Sequence, residues 1–384
     1  MIKNLPQGWR VEEFINIFED DTAKKKKIPT NLYIDVGVVP IIDQGQQFIA
    51  GYTNDINALN ENIPVIIFGD HTRILKYIDF NYALGADGVK VLKNIDRASN
   101  TKYLFYYLIH SNIPNTGYNR HFKYLKRLDI LLPPLPQQEK IVKVLDNSSS
   151  LVEQQKQLIK KYDVFLKSKF IEMFGDPITN PMGWEVVELG KIIDVLTDYH
   201  ANGSYEILKQ HVELLDKKNY ALMVRTTDLE NNNFKDGVKY IDENAYNFLE
   251  KTKVFGDEII MNKIGSAGNI FLMPKLNTPV SLGMNQFLIR LKKITNEVFI
   301  FHFLKTDYGQ KSIDQRVRGA VTKSITKDAV REIKVFLPPL ELQNKFASIV
   351  EKIEAIKEKE TQKLNYLETL HVSLMDKAFK GEIV

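Results

Sequence analysis

Residues 131–140 read LLPPLPQQEK, and residues 336–345 read FLPPLELQNK. Pro133 corresponds to Pro338, so the two copies lie 205 residues apart. Each copy opens a long charged stretch, and each follows a mixed region that begins with Pro-x-Gly-Trp, at residues 6–9 and 181–184. The pattern predicts an internal duplication of a globular head followed by a long helix. Two similar heads held at a set distance by two stiff helices favour a function in measuring a distance over a function in catalysis.

Composition sets wide limits on the class of protein. A chain of 384 residues predicts two or three domains. Hydrophobic residues make up 44% and charged residues 26%, which is typical of a globular protein. The chain has no cysteine, which excludes disulfides, thiolate zinc sites and cysteine nucleophiles. The net charge of +4 is too small to indicate nucleic-acid binding by itself. No apolar run is long enough to span a bilayer, and no signal peptide is expected.

The stretches after the two proline blocks carry a heptad rhythm. Residues 137–174 and 342–379 are each predicted to form a helix that would be about 57 Å long, at ~1.5 Å per residue. With Ile141 at position a, the a and d positions of the two stretches hold Ile141, Val144, Ser148, Leu151, Gln155, Leu158, Tyr162 and Phe165, and Phe346, Ile349, Ile353, Ile356, Glu360, Lys363, Leu367 and Leu370. The residues predicted to pack the helices are Ile141, Val144, Leu151, Leu158, Tyr162, Phe346, Ile349, Ile353, Ile356, Leu367 and Leu370.

Two further features of these stretches bear on their pairing. A polar residue occupies the same central a position in both, Gln155 and Glu360, and such a residue fixes register at a cost in stability. Antiparallel packing is expected, since parallel helices would place both heads at one end. The alternative is a helical hairpin buried inside a single domain.

The remaining regions contain short strand-like runs broken by turns. Strands are predicted at residues 63–68, 88–92, 220–224, 258–261, 269–273 and 286–291, and helices at 103–110 and 298–304. The predicted fold class is therefore α+β, with two mixed α/β domains separated by two long antiparallel helices in a coiled coil, related as a pseudo-twofold internal repeat. The predicted segments are a first head at 1–132, a proline-led helix at 133–176, a second head at 177–337 and a second proline-led helix at 338–384.

Catalytic motifs are missing from the sequence. There is no Gly-x-x-x-x-Gly-Lys-Ser/Thr phosphate loop and no His-Glu-x-x-His metal helix. The seven histidines are scattered along the chain. Gly265-Ser266-Ala267-Gly268 is more typical of a turn between strands than of a phosphate loop. An enzyme acting alone is therefore not expected.

These features together resemble a known family. The duplicated Leu-Pro-Pro-Leu-x-x-Gln block, the Gly-Trp opening of each half and the long helices resemble the specificity subunit of type I restriction-modification systems. In the first head the stretches at residues 68–73, 85–88 and 117–122 resemble one class of its target recognition domains. In the second head the stretches at 256–259, 263–268 and 285–286 resemble another. The resemblance covers essentially the whole chain.

The resemblance implies a sequence-specific DNA-binding subunit without catalytic activity. It implies a bipartite, asymmetric site on double-stranded DNA, with one half read by each recognition domain and a spacer set by the helices. The implied partners are two methyltransferase subunits and restriction subunits, in the cytoplasm and without a membrane. No cofactor or metal is expected on this chain, because S-adenosylmethionine would lie on the methyltransferase subunits and ATP with magnesium on the restriction subunits.

Candidate DNA contacts follow from side-chain chemistry. Arginine, asparagine and glutamine can bond bidentately to base edges, whereas lysine, serine and threonine commonly hold phosphates. The candidates are His71, Thr72, Arg73, Tyr118, Asn119, Arg120 and His121 in the first head, and Arg225, Thr226, Thr227, Lys263, Ser266, Arg316, Arg318, Thr322, Lys323 and Ser324 in the second. Asp70 and Asp87 are expected to cap turns instead. The competing interpretations are a stand-alone two-headed DNA-binding regulator and a purely structural coiled-coil scaffold.

Overall fold

The computed structural model describes residues 5–85, 88–117 and 119–383. The chain forms two compact units, the first made of residues 1–157 and 361–384, the second of residues 158–360. Each unit combines β-sheets with parts of both long helices. The α+β class is therefore confirmed, whereas the division into four segments stays a prediction.

The first unit is built from short strands. They are β1 Arg10–Glu13, β2 Phe18–Asp20, β3 Val39–Ile42, β4 Gly51–Thr53, β5 Leu59–Asn60, β6 Val65–Gly69, β7 Leu75–Ile78, β8 Tyr82–Leu84, β9 Val89–Asn94 and β10 Asp129–Leu132. They form sheets with the strand orders β2-β9-β6-β7, β4-β3-β8-β5 and β1-β10.

The strands of the second unit repeat this plan. They are β11 Glu185–Glu188, β12 Ile193–Asp198, β13 Ala221–Val224, β14 Lys239–Ile241, β15 Lys253–Val254, β16 Ile259–Asn262, β17 Ile270–Leu272, β18 Val280–Leu282, β19 Gln286–Leu291 and β20 Lys334–Leu337. Their orders are β12-β19-β16-β17, β14-β13-β18-β15 and β11-β20. In both units one strand pair is parallel, β3 with β8 and β13 with β18. The internal repeat predicted from the proline blocks is confirmed by this matching topology.

The helices of the described residues range from one turn to eleven. They are α1 Phe14–Ile17, α2 Thr101–His110, α3 Phe122–Leu125, α4 Leu135–Phe174, α5 Leu189–Ile192, α6 Tyr205–His211, α7 Thr226–Glu230, α8 Glu243–Phe248, α9 Glu297–Lys305, α10 Asp307–Asp314, α11 Lys327–Arg331 and α12 Leu340–Phe379. The strands and helices predicted in the two heads are all present, with ends that differ by a few residues. Across these residues the structure offers no helix with the length and apolar character that a membrane crossing requires.

The glutamine of each proline block joins the long helix to its head. Gln138 is fully buried; its Nε2 donates to the carbonyl of Pro133 (2.8 Å) and its Oε1 accepts from the Asn100 N–H (2.8 Å). Gln343 does the same with Pro338 (2.7 Å) and Asn296 (2.9 Å). Asn100 and Asn296 are the N-cap residues of α2 and α9. The block therefore satisfies backbone groups that burial at a helix start would otherwise leave without partners.

The two long helices pack antiparallel within each unit. In the first unit, Ser148 on α4 lies 2.7 Å from Nδ1 of His371 on α12, and Lys156 pairs with Glu368 at 2.7 Å. In the second unit, Asp163 pairs with Lys357 at 2.6 Å. Residue numbers rise along one helix as they fall along the other, which confirms the predicted antiparallel direction. Each helix has 40 residues, two more than predicted.

The buried stripe of the long helices departs from the predicted heptad positions. The a positions are buried or half-buried, but the d positions Leu151 (49% exposed), Phe165 (46%) and Ile356 (39%) are open. The packing predicted for Leu151 and Ile356 is therefore wrong. The e positions are covered instead, at residues 145, 152, 159, 166, 350, 357, 364 and 371. Each helix packs on its head as well as on the other helix. Leu145 and Leu166 belong to the cores of the two units, and this second contact turns the apolar stripe away from d.

Candidate nucleic-acid interface

Three connecting segments of the second unit, the first of which contains α7, lie together and form the second loop cluster, defined as residues 225–230, 263–269 and 316–325. The Lys263 N–H donates to Asn285 (2.7 Å), and Gly265 N–H donates to the carbonyl of Lys323 (3.0 Å). Ser266 Oγ donates to Glu230 at 2.8 Å, which ties the first loop to the second. The sequence-predicted sites at Lys263, Ser266 and residues 316–324 are therefore brought to one place.

The loop at residues 318–324 is the most exposed part of this cluster. Arg318 and Ser324 exchange two backbone hydrogen bonds of 2.8 Å, which close the loop into a short hairpin. Val321 at its tip is 97% exposed. Arg318, Thr322 and Lys323 are exposed on this closed loop. Such a loop offers a guanidinium and an ammonium to a phosphate backbone or a base edge.

A buried carboxylate holds two lysines of this region. Asp198, 8% exposed at the end of β12, accepts from Lys263 (2.8 Å) and from Lys327 (3.1 Å). Burial acts to raise the pKa of Asp198, but the two ammonium groups outweigh it and the pKa is lowered. Sequence reasoning missed Asp198, because nothing along the chain links it to a lysine 65 residues away.

Two arginines predicted to touch DNA are partly buried and make hydrogen bonds within the second unit. Arg225 forms a bidentate pair with Asp228 (2.7 and 3.1 Å) and also donates to the Gly237 carbonyl (2.7 Å). Arg316 donates to the carbonyls of Ser312 and Glu332, each at 2.9 Å. These guanidinium groups hold the shape of the loops, and the prediction that they also contact DNA stays a prediction.

The remaining predicted residues of the second unit lie near two buried amides. Thr226 Oγ1 is 3.4 Å from Oδ1 of Asn262, whose amide donates to Ser266 at 2.9 Å. The Gln286 amide bridges the Val224 carbonyl (3.1 Å) and the Thr226 N–H (3.2 Å). Thr227 is exposed beside them. Asn262 and Gln286 are fully buried and act as the internal framework of the cluster.

The first unit carries a matching first loop cluster, defined as residues 43–50, 70–74 and 112–121. Thr72 Oγ1 donates to the carbonyl of Gln44 (2.7 Å), and the Gln44 side chain accepts from the His71 N–H (3.3 Å). Arg73 has a positive φ of 64° and donates to the carbonyl of Ile113 at 3.2 Å. The predicted turn at residues 71–73 therefore connects the other two loops, and its arginine is partly used in doing so.

His121 is a core residue and not a DNA contact. It is fully buried, and its Nδ1 lies 3.0 Å from the carbonyl of Asp70. Strand register explains why the prediction for His121 failed. By register, Asp70 corresponds to Lys263 of the second unit, and His121 corresponds to Ile325, which is a buried apolar residue. The prediction that Asp70 caps a turn is confirmed, because its carboxylate accepts from the Phe122 N–H at 2.7 Å.

The loop before His121 presents the exposed candidates of the first unit. Asn119 and Arg120 are both exposed. The Asn119 amide donates to the carbonyl of Thr116 at 2.6 Å, whereas Arg120 makes no hydrogen bond within the described part of the chain. Tyr118 and Asp87 lie outside the described residues.

Neither cluster has the ligands of a metal centre. Among residues 5–85, 88–117 and 119–383, no group of His, Asp and Glu side chains could hold a metal ion. The chemistry that the exposed groups offer is hydrogen bonding and charge neutralisation. This suits recognition of a polyanion.

Comparison with known proteins gives the family. Residues 6–161 and 181–369 match the type I restriction modification DNA specificity domain, so the chain belongs to that family. It is a DNA-recognition subunit of the type I restriction-modification class and not an enzyme. The two matched segments coincide with the two copies of the internal repeat.

Individual relatives agree with this assignment. The chain is 23% identical over 411 residues to the type I restriction enzyme MjaVIII specificity subunit of Methanocaldococcus jannaschii, covering 99% of this chain and 94% of the relative. It is 30% identical over 132 residues to the EcoR124I/EcoR124II specificity subunit of Escherichia coli, covering 31% and 33%. The alternative of a stand-alone regulator finds no support among these names.

Solved structures show the same fold. The chain is similar to the crystal structure of a type I restriction-modification system S subunit from M. genitalium, with a TM-score of 0.55, 19% identity and 98% of both chains covered. A structure of a type I R-M system described for complex assembly and conformational transition gives 0.53, 15% identity and coverage of 98% and 99%.

Proposed function

We propose that the chain reads a bipartite, asymmetric DNA site, with one half-site bound by the loop cluster of each unit. The observation that supports this proposal is that the two units share one strand topology but have different side chains in the corresponding loops. The same loops follow the same strands in both units, yet Lys263 replaces Asp70 and residues 318–324 bear no likeness to residues 112–120. Two copies of one scaffold with different exposed groups are expected to prefer different base sequences.

The spacer between the half-sites is proposed to be set by α4 and α12. Each is a continuous helix of 40 residues, about 60 Å at ~1.5 Å per residue. A helix gives the stiffest link that a chain of this length can provide. Half-sites one duplex turn apart, roughly 34–36 Å, are within such a reach.

The partners are proposed from the family. Two methyltransferase subunits would dock on the helical region and supply S-adenosylmethionine, and restriction subunits would supply ATP and magnesium chemistry. This chain would hold none of these ligands. Methylation requires the adenine to be flipped out of the duplex, so the chain must stay bound to the DNA while the methyltransferase subunit acts. The complex is proposed to work in the cytoplasm.

The test uses one exposed arginine from each loop cluster. Arg120→Ala and Arg318→Ala, each assembled with the partner methyltransferase, should lower methylation of cognate DNA by about 5- to 150-fold, the size expected for a lost bidentate base contact. Gel filtration should show the complex intact. Arg97→Ala and Lys293→Ala are matched controls, because these exposed residues lie in corresponding turns before α2 and α9 and outside the clusters. If gel filtration shows instead that the complex no longer assembles, Arg120 or Arg318 lies at a subunit interface, and this would contradict the proposal.

A further inference from the structure

The β3–β4 connector of the first unit, residues 43–50, has a counterpart in the second. Gly85 N–H donates to the carbonyl of Ile42, and Gly283 N–H donates to that of Val224, both at 2.8 Å. Ile42 and Val224 end the equivalent strands β3 and β13 and pair with β8 and β18 in the same parallel sense. Residues 43–50 therefore stand where residues 225–238 stand in the second unit, in the loop cluster.

A buried lysine fixes this connector from beneath. Lys76 on β7 is 3% exposed, and its Nζ donates to the carbonyls of Asp43 (2.8 Å) and Gln47 (2.6 Å). The Thr72 hydroxyl donates a hydrogen bond to the carbonyl of Gln44, which lies between Asp43 and Gln47 in the chain. Burial lowers the pKa of Lys76, while the nearby Asp43 acts against that change. Three backbone carbonyls within five residues are thus bonded by side chains, and the loop has one defined shape.

The three glutamines of the connector are not equivalent. Gln44 is enclosed: its side chain accepts from His71, and its Nε2 lies only 2.5 Å from where a Cβ on Gly88 would be. Gln46 and Gln47 are exposed, and their side-chain amides make no hydrogen bond within the described part of the chain. A glutamine amide that makes no hydrogen bond within the protein can bind adenine bidentately, because its N–H donates to N7 and its oxygen accepts from the N6 amino group.

We propose that Gln46 and Gln47 read base edges in the half-site bound by the first unit, with a preference for adenine, and that Lys76 is their positioning residue. This rests on the proposed function. Because three carbonyls of the loop are held, the backbone that carries Gln46 and Gln47 is in place before DNA arrives, which favours discrimination over non-specific contact. The exposed amides carry no charge, so they add base selectivity rather than phosphate attraction.

The experiment measures base preference position by position. The full chain is assembled with its partner methyltransferase and given DNA in which each half-site is randomised in turn. Gln46→Ala, Gln47→Ala and the double variant should lower discrimination at one or two adjacent A·T positions of one half-site by about 5- to 150-fold. The other half-site should keep its wild-type profile. Gln7→Ala, an exposed glutamine of the same unit outside the cluster, is the control and should change nothing.

The Lys76→Met variant distinguishes a role of Lys76 in positioning Gln46 and Gln47 from a role in the folding of the protein. It should relax the same positions as the glutamine variants and leave the positions that depend on Arg120 unchanged. A uniform loss at every position would show that Lys76 acts only on folding and would overturn its positioning role. Unchanged preferences in the double glutamine variant would overturn the inference while leaving the proposed function intact. Wild-type complex without selectivity in either half-site would instead overturn the proposed function itself.

Discussion

Replacing Gln343 by leucine tests how the proline blocks build this fold. Gln343 is 1% exposed and makes three side-chain hydrogen bonds: to the Pro338 carbonyl (2.7 Å), from the Asn296 N–H (2.9 Å) and with Thr295 (3.0 Å). Leucine keeps most of the volume but none of these bonds. The Pro338 carbonyl and the Asn296 N–H then lose their partners at the start of two helices.

The expected cost follows from those two groups. A buried group left without its hydrogen bond costs about 1–3 kcal/mol. With the Pro338 carbonyl and the Asn296 N–H both left without partners, the free energy of unfolding of the second unit should fall by about 2–6 kcal/mol. With a urea m-value of roughly 2 kcal/mol/M, the midpoint should fall by about 1–3 M.

The two tryptophans allow the units to be followed separately. Trp184 belongs to the second unit, where its indole donates to the Phe174 carbonyl at 2.9 Å. Its fluorescence in a Trp9→Phe background reports that unit during urea unfolding. Gln210→Leu, at an exposed position of α6, is the matched control and should change stability by less than about 0.5 kcal/mol. A midpoint for Gln343→Leu equal to that of the control would contradict this role of Gln343. Gln138→Leu, followed by Trp9 fluorescence, should give the corresponding loss in the first unit.

Three other predictions concern the helices and the second loop cluster. Inserting seven residues after Gln157 and seven before Thr361 should lengthen the DNA spacer by about 3 base pairs, because each helical residue adds ~1.5 Å and each base pair spans ~3.4 Å. Methylation of DNA substrates with different spacer lengths measures this change. An unchanged spacer would contradict the role proposed for the helices. Ile353→Glu or Leu367→Glu, both half-buried, should disrupt the helix pair and the multisubunit complex before any base preference changes, as judged by gel filtration. The pKa of Asp198 is lowered, so its ion pairs stabilise the second unit above pH ~4 and are lost as pH falls through the folded value. The stability difference between wild type and Asp198→Asn should therefore shrink between pH 5 and pH 2, and a constant difference would count against it.

The architecture could be predicted because its signals are local or repeated. The proline blocks lie 205 residues apart and mark both helix starts, since proline is tolerated in a first turn and disfavoured within a helix. Runs such as residues 286–291 predict strands because β-branched and apolar residues are concentrated there. The direction of the helix pair followed from the same repeat.

The details of the site depend on contacts that no local pattern records. His121 sits in an exposed-looking polar stretch, yet strand pairing buries it at the position of Ile325. Lys76 reads as an ordinary surface lysine of a strand, but it is buried under residues 29 and 33 positions away. The a/d assignment of α4 failed at Leu151 because it considered one packing partner, while the helix has two.

Mapping methylated adenines across the genome of cells carrying this chain with its partner methyltransferase tests recognition by two units most directly. We expect a motif of two short defined blocks separated by a fixed run of unspecified bases, and Arg120→Ala and Arg318→Ala should each relax a different block. A single contiguous motif, or one block that responds to both variants, would contradict it.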